Sequence, residues 1–173
     1  MADTSPTHVI DTSVFIQAHR LYYPFDICPG YWDCLVHYAQ TGRLISIDRA
    51  YDELRAGDDN LKVWAMKSAP KPFFASTSAT AVVEQFGAMM QWVQGQSQFK
   101  SQAKAEFAMV ADGWVVAFAK VHRLTLVTQE EYAAESRKRV PIPNVCRAFS
   151  VPYVSTYDML RALSARFAWS PPD

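Results

Sequence analysis

Long apolar runs, paired cysteines and an excess of either charge are what this 173-residue sequence has least of. No uninterrupted apolar run approaches the roughly 18 residues that a membrane-spanning helix needs, so no membrane partner is expected. The polar opening Met1–Thr7 lacks the basic start and apolar stretch of a signal peptide, and a cytoplasmic location is the expectation. Three cysteines, Cys28, Cys34 and Cys146, form no CxxC pair and cannot all pair with one another, which fits reduced thiols. Basic and acidic residues number 17 each, so no global field draws the chain toward nucleic acid. Charged residues make up only 20%, too few for a disordered or coiled-coil protein.

Motifs are also missing. Neither GxGxxG nor GxxxxGK[ST] occurs, which removes the usual phosphate-cradling loops. His8, His19, His37 and His122 show no zinc-like clustering, and the cysteines do not complete a site. Ser13 and Ser46 have no nucleophile context, so Ser-His catalysis has no support.

Half of the residues are hydrophobic, enough for a substantial core, and no linker, repeat or low-complexity stretch divides residues 1–173. A single domain is expected. His8-Val9-Ile10 reads as a short strand, and Asp11-Thr12-Ser13 can open a helix running to Leu21. A helix over Tyr31–Gln40 closes at Gly42, a strand follows at Leu44–Ile47, and Asp48 can cap a helix over Arg49–Ala56. A helical insertion then occupies about 58–110, with Phe73-Phe74 either an edge strand or a packing segment. Gly113–Val121 reads as an apolar helix, Leu124–Thr128 as a buried strand, and Asn144 can cap a short helix to Ala148. Val151–Val154 suits a last strand, and Thr156 can cap a final helix with Leu160, Leu163 and Phe167 inward. Strands separated by helices predict a three-layer α/β/α fold around a central, mostly parallel sheet of four or five strands, with Val9–Asp11 near its centre.

Four acids fall at junctions where such a sheet exposes functional groups. Asp11 follows the first strand, Glu53 lies in the helix after the second, Asp112 precedes the apolar helix, and Glu130 follows Thr128 at the end of the third clear strand. Asp11 and Asp112 can equally be helix caps, Asp52 competes with Glu53, and Glu131 competes with Glu130. Carboxylates crowded into one cleft repel one another and raise some pKa values unless a cation neutralises them. Mg²⁺ or Mn²⁺ suits such oxygen ligands, and a pair of these ions can promote phosphodiester hydrolysis by water.

The segments IDTSVFI, ADGWVVAFAK and LVTQEE, in that order, resemble the metal-binding motifs of the PIN domain family. That resemblance implies a metal-dependent ribonuclease, and many of the family are toxins of toxin–antitoxin pairs. It implies Mg²⁺ or Mn²⁺ as cofactor, Asp11, Glu53, Asp112 and Glu130 as catalytic and metal-binding acids, and Thr12, Ser13 or Thr128 as supporting hydroxyls. Aspartate is usual where this chain has Glu130. The segments 139–146 and 157–160 resemble a PIN-like subgroup of uncharacterised function. Pro141 and Pro143 can fix a loop near the acids, and Lys138 or Arg139 can reach a substrate phosphate or form a solvated basic turn. The partners implied are an RNA substrate and an antitoxin protein. The five tryptophans and ten phenylalanines raise a further expectation, an exposed aromatic cluster between Trp64 and Trp92 covered by a partner or by a second copy in a homodimer. A catalytically silent interaction module and a metal-dependent DNA nuclease are the alternative readings.

Overall fold

The computed structural model describes residues 7–171, so most of the polar opening Met1–Thr7 lies outside the described residues. Buried His8 and the apolar Val9 and Ile10 form β1 (His8–Ile10), and Asp11 turns the chain directly into α1 (Thr12–Gln17). Asp11 sits in extended backbone and accepts the Ser13 N–H, the geometry of a helix cap. A helix was expected to run on to Leu21. Instead the α-helical pattern stops at Gln17 and a π-helical turn occupies Ala18–Tyr22, closed by the Tyr23 N–H on the Ala18 carbonyl at 2.7 Å.

The first half continues with α2 (Pro29–Gln40), β2 (Leu44–Ile47), α3 (Asp48–Ala56) and α4 (Asn60–Lys67). Gly42, at φ 75°, makes the left-handed turn out of α2. A short 3₁₀ turn leads into β3 (Phe74–Ala75), so Phe74 does belong to an edge strand. Then come α5 (Thr80–Gly95), α6 (Ser101–Met109), α7 (Asp112–His122), β4 (Thr125–Val127), α8 (Ile142–Phe149), β5 (Tyr153–Val154) and α9 (Thr156–Ala162).

Three expected caps change role. Asp48 is the first residue of α3, and its carboxylate accepts the Thr77 N–H at 3.0 Å and the Thr77 hydroxyl at 2.8 Å, fixing the loop after β3. Asn144 is buried inside α8, which Pro143 allows to begin earlier because proline is tolerated in a first helical turn. Its amide spans to the Ala133 backbone, accepting the N–H and donating to the carbonyl. Ser155, not Thr156, caps α9.

The five strands are all parallel, in the order β3-β2-β1-β4-β5. β1 is central, with Val9 opposite Ile45 on one side and Leu126 on the other. Because strand side chains alternate, neighbours on β1 and β4 serve different cores. Val9 and Leu126 pack with residues of α5, α6, α7 and α8. Ile10 and Val127 pack with residues of α1, α2, α4 and α9. Helices cover both faces, giving the three-layer α/β arrangement.

The second core consumes much of the aromatic content: Phe15 touches Trp64 and Phe73, and Trp32 meets Trp64 edge-on at 4.9 Å. This corrects the expected exposed aromatic cluster. Trp64 is buried, Trp92 packs on Phe99 and Phe149, and Phe86 stacks on Trp114 at 3.8 Å. The exposed large apolar residues are instead Leu21, Ile27, Met109 and Trp169, among others. Phe167, expected inward on the last helix, follows α9 and is 42% exposed. Among the described residues no helix is long and apolar enough to cross a membrane.

Candidate functional site

A parallel sheet brings the carboxyl ends of its strands to one edge. Asp11 follows β1 there, with its N–H bonded to the Val127 carbonyl at 3.0 Å, and Thr128 follows β4 with its N–H on the Val154 carbonyl at 3.1 Å. Asp11 is buried at 2% exposure. One of its oxygens accepts the Ser13 hydroxyl, the Ser13 N–H at 3.3 Å and the Thr128 hydroxyl at 3.2 Å. Burial pushes its carboxyl up to about 6; the Ser13 and Thr128 bonds oppose that rise and the Glu130 charge adds to it. Of the two hydroxyls beside Asp11, Ser13 supports it. The Thr12 hydroxyl is buried with no hydrogen-bond partner among the described residues.

Asp112 opens α7 but caps nothing: no side-chain hydrogen bond closes that helix start. Its carboxyl is pushed up to about 8, first by burial and then by the charges of Asp11, Glu130 and Glu53, with Arg139 opposing. The close approach of this end of α7 depends on Gly113. A Cβ there would lie 2.9 Å from Met90 Cε and from Phe86 Cε2, so a side chain would force these two residues of α5 to shift.

Glu53 reaches across from α3 and accepts the Ala111 N–H at 2.8 Å through Oε1. The bond ties the turn before α7 to the helix after β2, leaving the second oxygen of Glu53 without a bond among the described residues. Asp52, its competitor, forms an exposed i,i+3 pair with Arg55. Glu130 is held differently. One oxygen pairs with Arg139, the other accepts the Ile142 N–H at 2.8 Å, and its own N–H donates to the Thr128 hydroxyl at 3.1 Å. Glu131 is exposed. Lys138 is exposed too, with no ion pair among the described residues.

The sequence-predicted acids therefore share one electrostatic neighbourhood, because Asp112 responds to all three others. They do not close into one cluster: among the described residues no group of three or more His, Cys, Asp or Glu side chains is arranged to hold a single metal ion. Donor chemistry nonetheless suits a hard cation. Asp11 and Asp112 present carboxylate oxygens whose pKa values are raised first by burial, and the buried Cys146 thiol shares the neighbourhood, pushed up by burial and then by Asp11 and Glu130.

Two neighbouring features were not foreseen. The Arg49 guanidinium lies 4.3 Å over the Trp114 ring, two residues beyond Asp112, and donates to the Thr77 hydroxyl. Its position two residues past β2 was the available signal. On the β5 side, a cleft of about 600 Å³ runs along Thr128–Tyr132 and carries Tyr22, Tyr153 and Tyr157. No sequence pattern joins these three and Tyr132, since the four tyrosines come from four separate segments.

No curated protein matches the chain. Residues 8–167 match a family described as a domain of unknown function, DUF4411, and the chain belongs to that family.

Proposed function

We propose that the chain is a PIN-like, divalent-metal-dependent ribonuclease acting on RNA, with an antitoxin protein as its partner. The observation that carries this reading is the Asp112 carboxyl, which lacks a hydrogen-bond donor among the described residues and is raised by burial and then by three other acids at the carboxyl edge of a parallel sheet. A chain that needed only structural acids there would gain from replacing or pairing one of them. Asp11 and Asp112 would hold a Mg²⁺ or Mn²⁺ ion, and the free oxygen of Glu53 could join them. Such an ion supplies neutralisation of the acids and acidification of water for phosphodiester hydrolysis.

The protein's own contribution is positional. Ser13 and Thr128 fix the rotamer of Asp11, and Glu53 fixes the turn that carries Asp112. Glu130 belongs to the supporting structure, since both of its oxygens are engaged within the chain. Arg139 and Lys138 stand at the margin, where a phosphate would meet positive charge.

A second reading, a PIN-like interaction module without catalysis, is favoured by one observation: no three ligands stand together as the side chains lie. Two measurements separate the readings. Titration of Mn²⁺ by calorimetry should show binding that Asp11→Asn weakens by at least about tenfold. Cleavage of single-stranded RNA should require Mg²⁺ or Mn²⁺, stop with EDTA, leave a 5′-phosphate, and fall at least about 100-fold in Asp112→Asn. A 2′,3′-cyclic phosphate product, or cleavage that survives EDTA, refutes the metal mechanism. Metal binding with no cleavage of any RNA supports the silent module.

A further inference from the structure

Next to the acids lies a cleft whose lining the metal chemistry does not use. It has a volume of about 600 Å³ and begins where β4 ends, at Thr128 and Glu130. Tyr22, from the π-helical turn, and Tyr157, from α9, meet there edge to face at 6.3 Å. Tyr132, from the loop after β4, lies under the Arg147 guanidinium at 3.6 Å, and Arg147 also donates to the Tyr153 hydroxyl at 3.2 Å. Tyr22, Tyr132 and Tyr157 are each between 42% and 49% exposed. Tyrosine buries readily, and this chain buries Tyr31 completely, so three half-open rings around one cavity are not accounted for by the core.

We infer that this tyrosine-lined cleft binds a nucleobase of a single-stranded nucleic acid whose backbone passes the acidic edge. The inference rests on the nuclease reading only for the place where such a strand would be cut. Stacking on an open aromatic ring is the contact that unpaired bases offer and that duplexes withhold. A ring on Tyr157 would also meet the edge of Tyr22, the offset arrangement that aromatic groups prefer. Carboxylates outnumber cations in the cleft wall, Glu130, Glu131 and Asp158 against Arg147, which disfavours a phosphate. The oxygens of Asp158 already accept from Ser155 and Arg161, so the Glu131 carboxylate is the acceptor left for the N–H groups of a base edge. The phosphates are left to the basic margin at Lys138 and Arg139, outside the cleft. Arg147, fixed by two tyrosines, holds Tyr132 in place and adds a planar cation to the wall.

The test is binding without turnover. A fluorescent single-stranded RNA of about ten nucleotides is titrated with the full chain in EDTA and followed by anisotropy. Tyr157→Ala and Tyr132→Ala should each weaken binding about tenfold or more, while Tyr157→Phe and Tyr132→Phe stay within about twofold because the stacking face remains. Asp112→Asn should bind as tightly as the native protein, or more tightly, so loss of cleavage and loss of the cleft are separable. Unchanged melting temperatures would show that the alanine variants fold. Duplex RNA of the same sequence should compete poorly. The inference is overturned if the native chain binds no strand in EDTA, or if the alanine variants bind like the native chain, which would leave the cleft to a protein partner. AMP binding as tightly as the strand would overturn the assignment to a strand and make the cleft a mononucleotide pocket.

Discussion

Glu130, after β4, gives one carboxylate oxygen to Arg139 and the other to the Ile142 N–H, whereas Asp112, at the start of α7, receives no hydrogen bond from any described residue. Both acids are set in the same field, because Asp112 responds to Glu130 and Arg139 alike. The loop after β4 thus compensates its own charge with a guanidinium and an amide. Asp112, at the start of α7, has no such partner, and buried Asp11, at the end of β1, shares its field; both carboxyls are raised, first by burial. The contrast marks the Asp112 end as the place where the proposed ion would be held. It also suggests why a glutamate is acceptable where the resembling family has aspartate, since the longer side chain spans to Ile142 and Arg139 in the following loop.

The largest effect expected from this contrast is on the metal-free protein. Folding raises Asp112 from an ordinary carboxyl near 3.8 to about 8, and Asp11 to about 6. The native state then holds protons that the unfolded chain releases, so stability is greatest below pH 4 as far as these groups are concerned and is lost as pH rises through 6 and 8. Between pH 5.5 and 8.5 the melting temperature in EDTA should fall by at least about 3 °C. Asp112→Asn should flatten most of that slope, and saturating Mn²⁺ should raise the melting temperature at pH 8.5 more than at pH 5.5. A native melting temperature independent of pH in EDTA would show that the α7 side is no more in need of charge than the loop after β4.

Next in size is the compensated side. Arg139→Ala leaves Glu130 with the Ile142 amide and removes a cation that opposes the rise at Asp112. It should destabilise by about 1–2 kcal/mol, because the Glu130 side chain is mostly buried while Arg139 is exposed. The loss should be greater at pH 8.5 than at pH 5.5. Glu130→Gln keeps an acceptor for Ile142, and the double variant should recover part of the loss, giving a coupling measurable by urea denaturation. Purely additive effects would mean that the two regions do not communicate through Arg139.

The division between these regions was only half legible in the sequence. The central strand, its terminal Asp11 and the parallel order follow from short apolar segments separated by helical ones, signals that are local and periodic. The apolar face of α7 placed Asp112 at a helix start for the same reason. What decides how each acid behaves is non-local. Glu53 meets Ala111 across 58 positions, and nothing in either segment announces the bond. Glu130 finds the Ile142 N–H because α8 begins before Asn144, and Asn144 looked like a cap because its amide was free to be one on sequence alone. Its partner is Ala133, a contact set by the path of the whole loop. The π-helical turn that carries Tyr22 into the cleft has no composition of its own. The two-residue strand β3 is too short to be separated by pattern from a packing segment.

The smallest expected effect separates the two hydroxyls beside Asp11. Ser13 Oγ donates to the Asp11 carboxylate, whereas Thr12 Oγ1 is buried with no partner among the described residues. Thr12→Val keeps the shape of the side chain and removes an unsatisfied polar atom, so it should leave stability within about 0.5 kcal/mol or raise it slightly. Ser13→Ala removes a donor that holds the Asp11 charge in place, so the Asp11 carboxyl should rise further and the metal-free protein should titrate at higher pH. The measurable difference is in the pH profile: melting in EDTA should shift its transition upward for Ser13→Ala and stay at the native position for Thr12→Val. Mn²⁺ affinity should follow the same order, with Ser13→Ala weakened a few-fold and Thr12→Val unchanged. The opposite order would mean that the Thr12 hydroxyl turns to Asp11 when the ion binds, and the support of the α7 side would then be built on binding instead of standing ready in the fold.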